Sequence, residues 1–114
     1  PRLRLCWSPN PRMKLRGGPR RGGAYHAGEL AYGFGTVGKV GHDGLDEDYQ
    51  LSALISDYWT NFAKFGDPDG AGLPVWRPYD TNSHATQWLQ KQTRSVDGIR
   101  TARLDLFERF YNEQ

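Results

Sequence analysis

Seven apolar residues, Leu51, Leu54, Ile55, Tyr58, Trp59, Phe62 and Phe65, recur at spacings of three and four within EDYQLSALISDYWTNFAKFGDPDG. On a helix of about 3.6 residues per turn this spacing gathers them into one stripe, broad enough to require a surface to cover. The ends carry matching signals. Asp46 or Asp48 can accept from the first free amides, Gly66 can take the left-handed position past the end, and Asp67-Pro68 stops continuation. A helix over about 49–65 is predicted. Ile99, Ala102, Leu106, Phe107, Phe110 and Tyr111 form a second stripe, which predicts a helix over about 98–112 with Asp97 as its cap. Trp59, Phe62, Phe107 and Phe110, at helical spacing, are expected in a core.

What could those stripes cover? RLRLCW alternates, with Leu3, Leu5 and Trp7 on one face and Arg2, Arg4 and Cys6 on the other, the pattern of a strand covered on one side. ATQWLQ is a second short strand, and GAGLPVWRPYD an extended, Pro-punctuated connector. Residues 8–22, rich in Arg, Gly and Pro with no apolar period, are expected to form a mobile basic loop. Helices and strands together make an α/β chain, yet two short strands are too little sheet for two helices. At 114 residues there is room for one domain, able to bury roughly 65–70% of its unfolded surface if complete. With only 37% apolar residues, 14 Gly and 7 Pro, a self-sufficient core is not expected. The chain also opens without Met in an already alternating pattern, as expected of a piece of something longer.

Several function classes recede on composition. No stretch approaches the ~18 consecutive apolar residues of a membrane span, and the start lacks the apolar region of a signal peptide. The single cysteine, Cys6, can form no internal disulfide and supply no structural zinc site, so both usual staples of small domains are missing.

In GGAYHAGELAYGFG, His26 precedes Glu29 by three positions at the end of the Gly-rich loop. Ester hydrolysis by a serine enzyme needs a base that titrates near neutrality and reaches the hydroxyl, and imidazole meets the first condition. A histidine after a flexible approach can be presented over the ends of the strands, where α/β folds place their sites. GAYHAGELAYGFG resembles the segment around the catalytic histidine of type-B carboxylesterases, the α/β-hydrolase family that includes cholinesterases and para-nitrobenzyl esterases. LISDYWTNFAKFGDPDG, LPVWRPYD and RLDLFERFY follow in the order and spacing of that family, so the resemblance covers most of residues 23–111. Two positions depart from it: Gly33 stands where a bulky apolar residue is usual, and Phe65 where a small polar one is common. Both bear on local packing and leave the histidine untouched.

The resemblance implies that residues 1–114 are the C-terminal portion of a single α/β-hydrolase domain: a late sheet strand, the catalytic-histidine loop and two amphipathic helices. It implies a carboxylic ester hydrolase working through an acyl-enzyme, with His26 as catalytic base, a small-molecule ester as substrate, the remainder of the esterase domain as structural partner, and no metal or other cofactor. The family's chain order is Ser, acid, His. Ser8, Ser52, Ser56, Ser83 and Ser95 all lack a G-x-S-x-G frame, so the nucleophile is expected elsewhere, and the chain alone is expected to be inactive. Asp57 follows His26 in sequence and lies on the polar face of its helix, which argues against it as the triad acid. A domain of this family kept only for adhesion is the alternative within the resemblance.

Other residues have plainer readings. Glu29 could ligate a metal, but a site needs three or four ligands and His42 and His84 lack suitable spacing. The Glu29 carboxylate is instead expected to bond backbone amides beneath the histidine loop. His42 and His84 lie among turn residues and are expected to be solvated. Residues 1–28 hold seven basic side chains and no acid, so the N-terminal arm could neutralise phosphates, with Trp7 stacking on a base. No recognition motif accompanies it, and sequence-specific nucleic-acid binding is not expected. Association with a DNA duplex should be weak and should fall with salt along a log-log slope near about −0.9 per phosphate neutralised; a filter-binding titration across salt concentrations checks this, and nanomolar sequence-selective binding would overturn it.

Overall fold

The long apolar stripe does form a helix. In the computed structural model, which describes residues 3–7, 26–39 and 46–113, it is α2, Asp46–Phe65. It starts three residues before the predicted point, because Asp46, Glu47 and Asp48 lie in the first turn, where the positive end of the helix dipole favours acids. Gly66 takes the left-handed conformation at φ 71° and its amide bonds the Phe62 carbonyl at 2.9 Å, ending the helix where the sequence predicted. The remaining elements are β1 (Leu5–Trp7), the short helix α1 (Leu30–Gly33), β2 (Thr86–Leu89), β3 (Arg94–Val96) and α3 (Thr101–Asn112). The expected basic loop over 8–22, His42 and the side chain of Trp7 lie outside the described residues.

The three strands form one sheet in the order β1-β2-β3. β1 runs parallel to β2 with Cys6 opposite Trp88, and the connection between them carries both α1 and α2. β3, which the sequence reading did not anticipate, returns antiparallel to β2 with Arg94 opposite Trp88. The guanidinium of Arg94 lies 5.6 Å from the centre of the Trp88 ring, a cation–π pair across the strands. Thr93 closes the hairpin, donating to the Gln90 carbonyl at 2.7 Å and accepting from the Gln90 amide at 3.3 Å.

Leu51, Ile55 and Tyr58 from α2, Ala31, Tyr32 and Val37 from the histidine side, Trp76 from the connector and Leu89 from β2 make the core. Leu3, Leu54 and Trp59 pack partly buried against it. A buried polar link crosses it. Gln87 donates to the Tyr58 hydroxyl at 3.0 Å, and that hydroxyl donates to the Pro74 carbonyl. Burial raises the Tyr58 pKa, outweighing the opposing bond from Gln87. The bonded phenol thus adds stability throughout the range below the ordinary tyrosine value and loses it only as pH rises through the raised one.

The stripes are only partly covered. Phe62, expected in the core, and Phe65, at the end of the same stripe, are 43% and 75% exposed. Length explains this: twenty helical residues extend about 30 Å, whereas a four-residue strand reaches about 13 Å. In α3 no residue is buried, and Phe107 and Phe110, also expected inside, are 60% and 56% exposed because no described element lies over them. Leu5, expected on the covered face of the first strand, is likewise exposed, while Leu3 packs partly buried against the core. Asp97 does not cap α3. Its carboxylate pairs with Arg77, and the helix begins at Thr101 after Gly98 and Arg100 both turn left-handed.

The departure at Gly33 has a packing reason. A Cβ at that position would fall within the ring of Trp59, so the indole occupies the space that a side chain would need. Gly33→Val should therefore cost about 1–3 kcal/mol by overpacking, read as a fall in amide-exchange protection along α2. In a Trp59→Leu background the same change should cost much less; strictly additive losses would show that the two positions do not compete for space.

Candidate functional site

His26 opens a turn that runs through Glu29 directly into α1. Its imidazole is exposed and makes no side-chain hydrogen bond among the described residues. Ala27, the next residue, adopts φ 64°, a left-handed conformation that costs a residue with a Cβ roughly 1–2 kcal/mol. This small strain lies next to the histidine and gives the turn its direction. It is secured by the Leu30 amide on the Ala27 carbonyl at 3.2 Å and by the Tyr32 and Gly33 amides on the Glu29 carbonyl, both at 3.0 Å. The expected role of Glu29 is thereby corrected: its main-chain carbonyl holds the turn, while its carboxylate makes no cap. The first turn of so short a helix offers its amides to the preceding carbonyls, leaving the side chain unused.

The far end of α1 is tied to α2. The Tyr32 hydroxyl donates to Asp48 Oδ1 at 3.0 Å, with both residues buried. Ser52 Oγ donates to the Tyr32 carbonyl at 2.7 Å, and Ser56 Oγ to the Gly33 carbonyl at 2.8 Å. Asp48, Ser52 and Ser56 are spaced four apart, a polar row beside the apolar stripe of the same helix. The sequence reading attended to the stripe and missed this row; its i, i+4, i+8 spacing was the available signal.

The other candidate residues lie elsewhere. Asp57 is exposed on α2. His84, expected to be solvated, is half-buried with Nδ1 2.9 Å from the Tyr79 hydroxyl. It ends a turn built on Asp80, whose carboxylate accepts from the Ser83 hydroxyl at 2.5 Å and from the Ser83 and Asn82 amides at 2.8 and 2.9 Å. Those bonds, the Ser83 hydroxyl foremost, hold the Asp80 pKa below the usual carboxylate value. This turn leads into β2 and serves the fold. Among the described residues no helix is long and apolar enough to cross a membrane.

Comparison with known proteins follows the same outline. Carboxylesterase 4A of Bos taurus is 32% identical over 93 residues, which are 82% of this chain and 16% of that protein. Acylcarnitine hydrolase of Rattus norvegicus is 38% identical over 82 residues, 70% of this chain and 14% of that one. The chain thus spans about one-sixth of the length of these relatives. Among solved structures, a PNB esterase superposes with a TM-score of 0.66 at 27% identity, covering 77% of this chain and 18% of the other. A thermophilic PNB esterase superposes with a TM-score of 0.69, also at 27% identity, over 89% of this chain and 20% of its own. The three-stranded sheet with its helices is accordingly a part of an α/β-hydrolase fold. The family model for carboxylesterases matches residues 7–107, from the end of β1 into α3, and the chain belongs to the carboxylesterase family.

Proposed function

We propose that this chain forms part of a serine carboxylesterase and supplies its catalytic histidine, His26. One observation carries the reading: within a carboxylesterase-family chain, the exposed imidazole stands on a turn that is strained at Ala27 and bonded through α1 to the long helix. Such a group is open to reactants yet held in direction, as a general base must be. The reaction that suits it is hydrolysis of a carboxylic ester. His26 takes the proton from a serine hydroxyl as the oxygen attacks the ester carbonyl, then returns it to the departing alcohol, leaving an acyl-enzyme. In the second half it takes a proton from water, whose oxygen attacks the acyl carbonyl, and gives that proton back to the serine.

The nucleophile, the acid that orients the imidazole and the oxyanion donors belong to the remainder of the esterase domain in this reading. No G-x-S-x-G occurs in the chain, and the part of Carboxylesterase 4A that it matches is 16% of that protein. The chain alone should leave an activated aryl ester unhydrolysed; turnover that an organophosphate blocks would refute the division of parts.

In the full-length enzyme, His26→Gln should lower kcat on the order of 10⁴-fold while changing KM far less, because the triad acts as a unit. Activity of the unsubstituted enzyme should fall on acidification, since a protonated imidazole cannot accept the serine proton. Glu29→Gln should change kcat little, its carboxylate holding no part of the turn. Steady-state kinetics across pH checks all three, and kcat within tenfold of normal in His26→Gln would remove His26 from the mechanism.

A further inference from the structure

We propose that Ser52 and Ser56 are positioning residues for His26; the inference rests on the reading of His26 as the catalytic base. A helix of four residues cannot hold its own place, because too few internal bonds offset the cost of starting it. Within α1 the Leu30 carbonyl is taken by the Phe34 amide and the Ala31 carbonyl by the Thr36 amide. The Tyr32 carbonyl accepts from the Gly35 amide at 3.2 Å and, in addition, from the Ser52 hydroxyl of α2, while the Gly33 carbonyl accepts from the Ser56 hydroxyl. Ser56 also approaches the Tyr32 carbonyl at 3.4 Å, so the two hydroxyls overlap on one end of α1.

Tyr32 is therefore held at both ends, its phenol on Asp48 and its own carbonyl on Ser52, one helical turn further along. Two attachment points about 6 Å apart along α2 fix both the distance of α1 from the long helix and its rotation about that contact. Ser56 adds a third point on the following turn. From Tyr32 the ladder of backbone bonds runs back through Glu29 and Ala27 to the histidine turn without a gap. A shift of α1 along α2 is thus delivered to the imidazole. An ångström of misplacement at a reacting group can cost about 100-fold. Apolar residues on the same row would bury area equally well but would not specify which turn of α2 faces which carbonyl. The hydroxyls do.

The test uses the full-length enzyme. Ser52→Ala/Ser56→Ala should lower kcat about tenfold or more with KM within about threefold, and should slow phosphonylation of the active serine by an organophosphonate to a similar degree. Leu54→Ala, on the same helix but off the polar row, provides a variant of comparable Tm loss that should keep kcat. Ser56→Thr, at a half-buried position, retains the hydroxyl and should restore most of what Ser56→Ala removes. If the double variant does not fold, the Ser56→Ala and Ser56→Thr pair decides: loss with restoration supports the proposal, and no loss overturns it. A kcat within twofold of normal in the double variant, or a fall no greater than in Leu54→Ala, overturns the proposal while His26→Gln, if inactive, leaves the catalytic reading standing. An active His26→Gln enzyme overturns both.

Discussion

Much of this structure depends on one pair of hydrogen bonds, those that hold Tyr32 by its hydroxyl on Asp48 and by its carbonyl on Ser52. Both are buried, where a hydrogen bond contributes about 0.5–1.5 kcal/mol net, and each ties Tyr32 to a different turn of α2. Together they convert α1 from a marginal single turn into a fixed extension of α2. The histidine turn continues from α1, and the Trp59 ring lies against Gly33 at its end. The absence of a side chain at Gly33 is part of the same arrangement: the indole from the facing helix fills the space that a side chain there would need.

The apolar surface is unevenly distributed around that joint. On the side of α1 and β2, α2 is well covered, and its polar atoms find partners in Pro74, Gln87, Tyr32 and Gly33. Towards its C-terminal end, and along all of α3, large apolar side chains face outward among the described residues. The same chain superposes on about a fifth of a PNB esterase with a TM-score of 0.69. A fold whose sheet continues beyond these three strands would account for both observations, since the helices have the length and the stripes to cover more sheet than is described.

Parts of this arrangement were legible in the residues and parts were not. The course of α2 and its C-terminal end followed from its period and from Gly66, because helix periodicity and a left-handed stop are local properties. The first strand was visible as alternation, and ATQWLQ was read as a second short strand. β3 was not, since Arg94–Val96 has too few residues to show a period and exists only by pairing with β2. Asp97 resembled a cap from its position alone, but Arg77 lies twenty residues earlier and no local rule places it there. Glu29 was credited with a side-chain role that its own carbonyl performs.

By itself the sequence determined the helical stripes and the set of motifs that mark a carboxylesterase, because each depends on residues within a few positions of one another. Only the tertiary structure decided that Asp48, Ser52 and Ser56 face Tyr32 and Gly33, that Trp59 fills the space above Gly33, and that Phe107 and Phe110 lie uncovered. Those outcomes depend on which surfaces meet across 16 to 26 positions of chain or more, and on how much sheet is there to be covered. A stripe states that a face seeks cover; the neighbouring element, brought near by the whole fold, decides whether it finds any.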